Sequence, residues 1–221
     1  QAHPFTFARQ MSTLDHLTKG RIAWNIVTTY LSNAGLNYGL GGLPPHDDRY
    51  DLADEYLEVT YKLWEGSWED DAVLADTARG IYADPTKIHQ INHLGKHYDV
   101  AGPHLSEPSP QRTPLLFQAG SSTRGRSFAA QHAECIFISE SRDSLKGESN
   151  VINDVRNQAA QLGRRPEDIL FFQGVSPVVG GTEAEATSKA AEYIDQFSTE
   201  GSLAHLSGGI GIDMGVVDLD Q

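Results

Sequence analysis

Short apolar segments alternate with amphipathic ones along most of this chain, and this alternation is the feature that most limits its possible folds. Strand-like runs occupy residues 21–29, 114–118, 135–139 and 169–175, and each is followed by a helix-like segment or an insertion. Parallel strands need such crossover connections, so the pattern is typical of βα units around a parallel sheet. It predicts an α/β fold with about four strands, which is half of an eight-stranded (β/α)8 barrel.

Apolar residues recur at helical spacing in the segments between the strands. We predict helices over about 48–65, 123–132 and 151–162, and a last helix that begins at a capping box, Thr182-Glu-Ala-Glu185. On the helix over 48–65, the residues expected to face the core are Leu52, Tyr56, Val59 and Leu63. On the helix over 151–162 they are Val151, Val155, Ala159 and Leu162. On the last helix they are Ala186, Ala190, Tyr193, Ile194 and Phe197.

Two regions depart from the alternation. Residues 67–113 hold turn signals and short mixed segments, which predicts an insertion, and residues 202–221 are glycine-rich and end as an irregular tail. We therefore expect residues 1–221 to form a single partial TIM-barrel domain that includes this insertion and this tail.

Charge and composition argue against several classes of partner. The 221 residues carry 30 acidic and 17 basic side chains, a formal net charge of −13, so we expect neither nucleic acid nor membrane as a partner. The single Cys135 rules out an internal disulfide and a cysteine-based zinc site. No run approaches the roughly eighteen apolar residues of a membrane span, and no signal peptide is visible. We expect a cytoplasmic protein.

The turn that follows the strand at 114–118 carries the clearest functional signal. The strand ends at Gln118, the chain turns at Ala119-Gly120, and a helix opens through Ser121, Ser122, Gly125 and Arg126. A helix start offers free N–H groups and the positive end of the helix dipole, and hydroxyls and an arginine beside it suit a phosphate. The alternative is that Ser121 or Ser122 only caps the helix.

Polar side chains also follow the first strand, in the segment Asn25-Ile-Val-Thr-Thr-Tyr30. Ligands of α/β sheets bind outside the carboxyl ends of the strands, so these groups and Gln118 could hold a polar, planar, phosphorylated ligand. Strand propensity explains Thr28 and Thr29 equally well. Tyr50, at a predicted helix start, could offer its hydroxyl to the phosphate, although packing explains a tyrosine there too.

Other chemistries have weaker support. His89, His93 and His97 are four residues apart, but Gly95 interrupts the run and lysines crowd it, so we expect no metal site. The segment 120–124 resembles a serine nucleophile elbow that lacks its second glycine, which leaves a hydrolase using Ser121 or Ser122 as a weak alternative. The chain contains neither a P-loop motif nor the dinucleotide-binding glycine motif.

A series of motifs along nearly the whole chain resembles one enzyme family. The motifs are Ala8-Arg9, Ser12-Thr-Leu-Asp-His16, Gly20-Arg21, Trp24-Asn-Ile-Val-Thr28, Arg49-Tyr50, Leu63-Trp-Glu-Gly-Ser-Trp-Glu-Asp-Asp-Ala72, Asp84-Pro85, Gly102-Pro103, Pro110-Gln111 and Gln118-Ala-Gly-Ser-Ser122. Together they resemble the two-component, flavin-dependent monooxygenases of the bacterial-luciferase superfamily. The most similar branch holds the nitrilotriacetate, dibenzothiophene-sulfone and long-chain alkane monooxygenases.

This resemblance implies a luciferase-like TIM barrel with insertions that uses reduced FMN. A separate NAD(P)H-dependent flavin reductase would supply the reduced FMN, and one atom of molecular oxygen would go to a small organic substrate. By position, the resemblance implies that Asn25, Thr28, Thr29 and Tyr30 line the flavin side of the pocket, and that Tyr50 and residues 122–125 hold the phosphate, with Arg126 nearby. With the turn residues singled out above, the predicted cofactor-binding residues are Asn25, Thr28, Thr29, Tyr30, Tyr50, Gln118, Gly120, Ser121, Ser122, Gly125 and Arg126. Tyr30 stands where some relatives carry a histidine close to the reaction centre, a departure from the family's pattern. Its position makes Tyr30 a residue that lines the site and the candidate catalytic residue.

Members of that branch are about twice as long as this chain. A half barrel has two unpaired edges and an exposed apolar interior, so we expect a homo-oligomer. The alternative to a flavin enzyme is a catalytically inactive barrel fragment that oligomerises without binding flavin.

Overall fold

The predicted strands and helices occur in the predicted order, and the structure adds two helices that the sequence analysis did not predict, over Pro4–Thr18 and Ser32–Asn37. The structure is a computed structural model that describes residues 2–29, 32–138, 150–198 and 201–203. In chain order its elements are α1 (Pro4–Thr18), β1 (Ala23–Ile26), α2 (Ser32–Asn37), α3 (His46–Gly66), β2 (Val73–Asp76), β3 (Ile81–Ala83), β4 (His93–Leu94), β5 (Asp99–Val100), β6 (Leu115–Gln118), α4 (Thr123–His132), β7 (Cys135–Ile138), α5 (Asn150–Gln161), β8 (Leu170–Gln173) and α6 (Glu183–Asp195). Short 3-10 helices cover Pro85–Lys87 and Pro166–Asp168.

Four strands form a parallel sheet in the order β1-β6-β7-β8. In register, Ile26 pairs with Gln118, Gln118 with Ile136, and Ile136 with Phe171. All connections between these strands are crossovers, as parallel pairing requires. The predicted α/β fold with about four parallel strands is confirmed.

Helices α3, α4 and α5 cover one face of this sheet. Ile26 and Leu116 pack with Leu57 of α3 and Phe128 of α4, and Ile136 packs between α4 and α5. Side chains alternate across a strand, so the neighbouring residues Asn25, Phe117 and Phe137 point to the opposite face. One face of the sheet therefore belongs to the core, and the other remains partly open.

The long helix α3 joins this core to α1. Its buried residues recur at helical spacing and include Ala53, Leu57 and Leu63, while Ala8 and Met11 of α1 pack against the same helix. The predicted helix over 48–65 is confirmed, with one more half-turn at the start and one more residue at the end.

Residues 67–113 add no strand to the parallel sheet. They contain two antiparallel hairpins, β2–β3 and β4–β5. Buried polar contacts fix this segment to α1: His104 Nε2 lies 2.9 Å from Ser12 Oγ, and the Asp15 carboxylate accepts from the Gln111 backbone amide at 2.8 Å.

The chain divides into two units. Residues 1–28 and 46–173 form the first, which holds the sheet, α1, α3 to α5 and both hairpins; residues 29–45 and 174–221 form the second, which holds α2 and α6. A single partial-barrel domain over 1–221 remains a prediction. Among the described residues, no helix is long and apolar enough to cross a bilayer.

Two predictions about buried helix faces are wrong in part. Thr182 does cap α6, accepting from the Glu185 amide at 3.2 Å, but α6 buries none of its residues, and Tyr193, Ile194 and Phe197 are exposed. On α5, Val155 and Ala159 are buried as predicted, whereas Leu162 lies beyond the helix end and is exposed. An amphipathic pattern marks which face can be buried, but burial also needs a partner element on that face.

Candidate functional site

The carboxyl ends of β1 and β6 lie side by side, because Ile26 and Gln118 are register partners in adjacent parallel strands. The two polar segments that follow these strands therefore start at the same edge of the sheet. This edge is where ligands bind in open α/β sheets.

The turn after β6 leads directly into a capped helix. Ser122 has extended backbone angles, and its Oγ accepts the Gly125 N–H at 3.0 Å. The capping role that the sequence left open for Ser122 is thus present. The cap satisfies only the Gly125 N–H group. The amides of Thr123 and Arg124 also belong to the first turn and have no helical carbonyl one turn earlier to donate to. Capping and anion binding are therefore compatible at this helix start.

Tyr50 is buried and lies against the glycines of this turn. A Cβ atom added at Gly120 would lie 2.5 Å from the Tyr50 hydroxyl and would overlap the Gln118 side-chain amide. A Cβ added at Gly125 would lie 2.8 Å from the same hydroxyl. Only glycine allows the tyrosine to approach the backbone so closely. The result is a cradle formed by a hydroxyl and backbone at the start of α4.

Gln118 contributes a further polar group at this place. Its side chain is 2% exposed, and within the described part of the chain its Oε1 has no hydrogen-bond partner. A buried polar atom without a partner is uncommon and calls for an explanation, such as a missing ligand. A carbonyl oxygen can only accept, so Gln118 Oε1 suits a hydroxyl or N–H group of a ligand, whereas the glycine cradle at the helix start suits an anion.

His46, the first residue of α3, also lies at this helix start, a position that sequence reasoning did not indicate. Its Nε2 lies 3.2 Å from Ser122 Oγ, and its Nδ1 lies 2.6 Å from an Asp47 carboxylate oxygen. His46 and Ser122 are 76 positions apart in the sequence. No periodicity or spacing in the sequence could have indicated this contact.

The order Ser122–His46–Asp47 has the contacts of a Ser-His-Asp triad, which bears on the hydrolase alternative. One feature opposes that interpretation. The Asp47 side chain is 74% exposed, whereas the aspartate of a triad is buried against its histidine. A histidine beside a helix start suits a bound phosphate better.

The two arginines of the helix start have different partners. Arg126 pairs with Asp154 of α5, Nε to Oδ2 at 2.6 Å, and its Nη1 donates to the Ser121 carbonyl at 3.2 Å. Arg124 reaches back to α3, where its Nη2 donates to Asp51 at 3.0 Å and to Asp54. Arg126 thus lies at the turn as predicted, but with a carboxylate beside it.

The predicted residues after β1 are only partly described. Asn25 lies on the open face of the sheet and is exposed, and Thr28 is half-buried. Thr29 has φ +58°, a left-handed conformation that is rare for a β-branched residue and that often marks functional sites. Tyr30, the candidate catalytic residue, lies outside the described residues.

The three spaced histidines do not come together. His89 pairs with Glu69. His93 of β4 is buried between Glu55 and Lys62. His97 lies in the β4–β5 turn, and its backbone amide donates to Glu55. In the described part of the chain, no three histidine, cysteine or acidic side chains are arranged to hold a metal ion.

The family model described as luciferase-like monooxygenase matches residues 1–212. The chain is 55% identical to the long-chain alkane monooxygenase of Geobacillus thermodenitrificans, covering 96% of this chain and 48% of that protein. It is 38% identical to nitrilotriacetate monooxygenase component A of Aminobacter aminovorans, covering 98% and 48%.

A solved structure of riboflavin lyase with modified FMN and substrate riboflavin is 42% identical, with a TM-score of 0.89, covering 98% of this chain and 48% of that one. The chain therefore spans about half the length of the curated relatives it matches.

Proposed function

The chain belongs to the luciferase-like monooxygenase family, and on that premise we propose that it is the FMN-binding part of a flavin-dependent monooxygenase. The whole enzyme would use reduced FMN and molecular oxygen to oxygenate a small organic substrate. A separate NAD(P)H-dependent reductase would supply the reduced FMN, as the name "component A" of one relative suggests. When bound, reduced FMN would supply the chemistry that activates oxygen.

The observation that carries this proposal is the cradle at residues 118–125. Gly120 and Gly125 let the Tyr50 hydroxyl approach the backbone at the start of α4, where the helix dipole favours an anion. We propose that Tyr50, Ser121, Ser122 and the first amides of α4 hold the phosphate, with His46 and Arg126 beside it.

The remaining predicted residues would contact the rest of the cofactor. Asn25 and Thr28 would lie along its flavin side, together with Thr29 and Tyr30, and Gln118 would donate or accept through its buried amide. The chain's own task is to bind and orient the cofactor and to exclude water from it.

The proposal is tested by titrating FMN into the purified chain and following its fluorescence. We expect saturable quenching. Ser122→Ala and Arg126→Ala should each raise the Kd about tenfold, since a hydrogen bond to a charged group contributes about 1.5–3 kcal/mol.

Two matched controls separate binding from folding. Thr182→Ala removes the same kind of helix cap from α6, and Arg165→Ala removes an exposed ion pair with Asp168. Neither should change the Kd. If the unchanged chain fails to quench FMN fluorescence, the proposal is wrong, and the inactive fragment that oligomerises becomes the better interpretation.

A fluorophosphonate probe tests the hydrolase alternative that the Ser122–His46–Asp47 contacts raise. We expect no labelling. Covalent modification of Ser122 that disappears in His46→Ala would favour a serine hydrolase instead.

A further inference from the structure

A chain of polar contacts connects α3 to the end and the start of α4. The Tyr61 hydroxyl lies 3.2 Å from His132 Nδ1, and His132 Nε2 lies 3.0 Å from Asp54 Oδ1. The second carboxylate oxygen of Asp54 accepts from Arg124 Nη2. One aspartate of α3 thus joins the last residue of α4, His132, to its second residue, Arg124.

The chemistry of the partners fixes the direction of these hydrogen bonds. An ionised carboxylate can only accept, so His132 donates from Nε2 and its Nδ1 can accept from the Tyr61 hydroxyl. Burial alone would raise the pKa of Asp54, but the hydrogen bonds from His132 and Arg124 outweigh it and hold this pKa below its ordinary value. Asp54 therefore stays ionised at neutral pH.

Arg124 connects this chain of polar contacts to the cradle at the start of α4. Its guanidinium lies over the Tyr50 ring, 5.5 Å from the centroid, in a cation–π contact. The hydroxyl of the same tyrosine lies against Gly120 and Gly125. Arg124 is also part of the first turn of α4. Holding Arg124 therefore holds both the tyrosine and the helix start.

From these contacts, and resting on the proposed function, we infer that Asp54 is a positioning residue for the phosphate end of the flavin site. It keeps Arg124 on the Tyr50 ring and so fixes the distance between Tyr50 and the start of α4. Because Arg124 is shared between Asp51 and Asp54, its task is to orient the cradle rather than to bind the phosphate.

The substitution Asp54→Asn distinguishes positioning from simple electrostatics, because the two predict opposite changes. Removing a negative charge near a bound dianion should tighten FMN binding if charge alone matters. Loosening Arg124 should weaken FMN binding if Asp54 positions the cradle. We expect the Kd for FMN to rise about tenfold in Asp54→Asn, and the Kd for riboflavin, which lacks the phosphate, to stay the same.

Two further variants complete the test. Asp51→Asn removes the same charge from the more exposed partner of Arg124, and its Kd for FMN should stay within about twofold of the unchanged chain, since exposed pairs are weak. Tyr61→Phe removes only one hydroxyl at the far end of the polar chain. Tyr61→Phe should raise the Kd for FMN about threefold. This variant tests the inference in case Asp54→Asn does not fold.

The outcomes are distinct. FMN binding that is unchanged or tighter in Asp54→Asn, or an equal loss of FMN and riboflavin, would overturn the inference while leaving the proposed function intact. Absence of FMN binding in the unchanged chain would overturn the proposed function, and the inference with it.

Discussion

Ser122 illustrates, at the scale of single residues, that structural and functional interpretations need not exclude each other. Its hydroxyl accepts the Gly125 amide as a helix cap and also contacts His46. A hydroxyl has one proton and two lone pairs, so it can serve both neighbours. The cap holds the hydroxyl at the helix start, where a phosphate would need it.

A second residue, His104, should make stability depend on pH. Burial, and to a smaller extent the charge of Arg9, lower the pKa of His104 to about 4 from an ordinary value of 6.5. Below pH 6.5 the unfolded chain takes up a proton that the folded chain does not bind. The contribution of neutral His104 to the free energy of unfolding is therefore complete above pH 6.5 and is lost as the pH falls toward 4. About 1 kcal/mol of this free energy is lost at pH 5.5.

Urea unfolding at pH 7.5 and 5.5 measures this effect. His104→Gln should reduce the difference in unfolding free energy between the two pH values, even though it lowers stability at pH 7.5 by disturbing the contact with Ser12. An identical difference in the variant would show that other groups cause the pH dependence.

At the scale of elements, α4 is the helix on which the proposed site depends, and it is fixed at both ends. Its start is capped by Ser122 and anchored through Arg124 to α3. At its end, Arg164 donates from Nη1 to the Ala130 carbonyl and from Nη2 to the Ala133 carbonyl, both at 2.7 Å. A cation at this end also complements the helix dipole.

We therefore expect Arg164→Ala to lower the free energy of unfolding by about 2 kcal/mol, since it leaves carbonyls at a helix end without donors. Thermal or urea unfolding measures the loss. Arg165→Ala, whose side chain forms an exposed pair with Asp168, is the neighbouring control and should change stability little. Equal effects of the two substitutions would argue against the capping role of Arg164.

At the scale of the whole molecule, the open face of the sheet is the main feature. The rings of Phe117, Phe137 and Phe172 contact one another with centroid distances of 5.5–5.9 Å, and Phe137 is 46% exposed. Leu115 and Leu170 extend this apolar patch. Apolar patches of this kind mark surfaces that associate with another surface.

For the isolated chain we expect self-association through this patch. Sedimentation velocity should show species larger than a monomer, and Phe172→Asp should shift them toward the monomer by placing a charge in the patch. Leu17→Asp, at an exposed leucine of α1, is the matched control and should leave the distribution unchanged. A chain that sediments as a monomer at all concentrations would refute this expectation.

The sequence by itself determined the local features of this protein. Helix α4 spans Thr123–His132, the predicted range, because the cap at Ser122 and the apolar spacing are written in neighbouring residues. The order of strands and helices and the parallel sheet followed from the same kind of signal. The glycines of the cradle were visible as Gly120 and Gly125, although their contact with Tyr50 was not.

Only the tertiary structure decided which distant side chains meet. It placed His46 on Ser122 and connected Asp54 to both ends of α4, contacts across seventy or more positions that no local pattern encodes. It also left the apolar residues of α6 exposed, although their spacing predicted burial. The physical reason is the same in each case: spacing along the chain shows which side of an element prefers to be buried, whereas packing in three dimensions decides what lies against it.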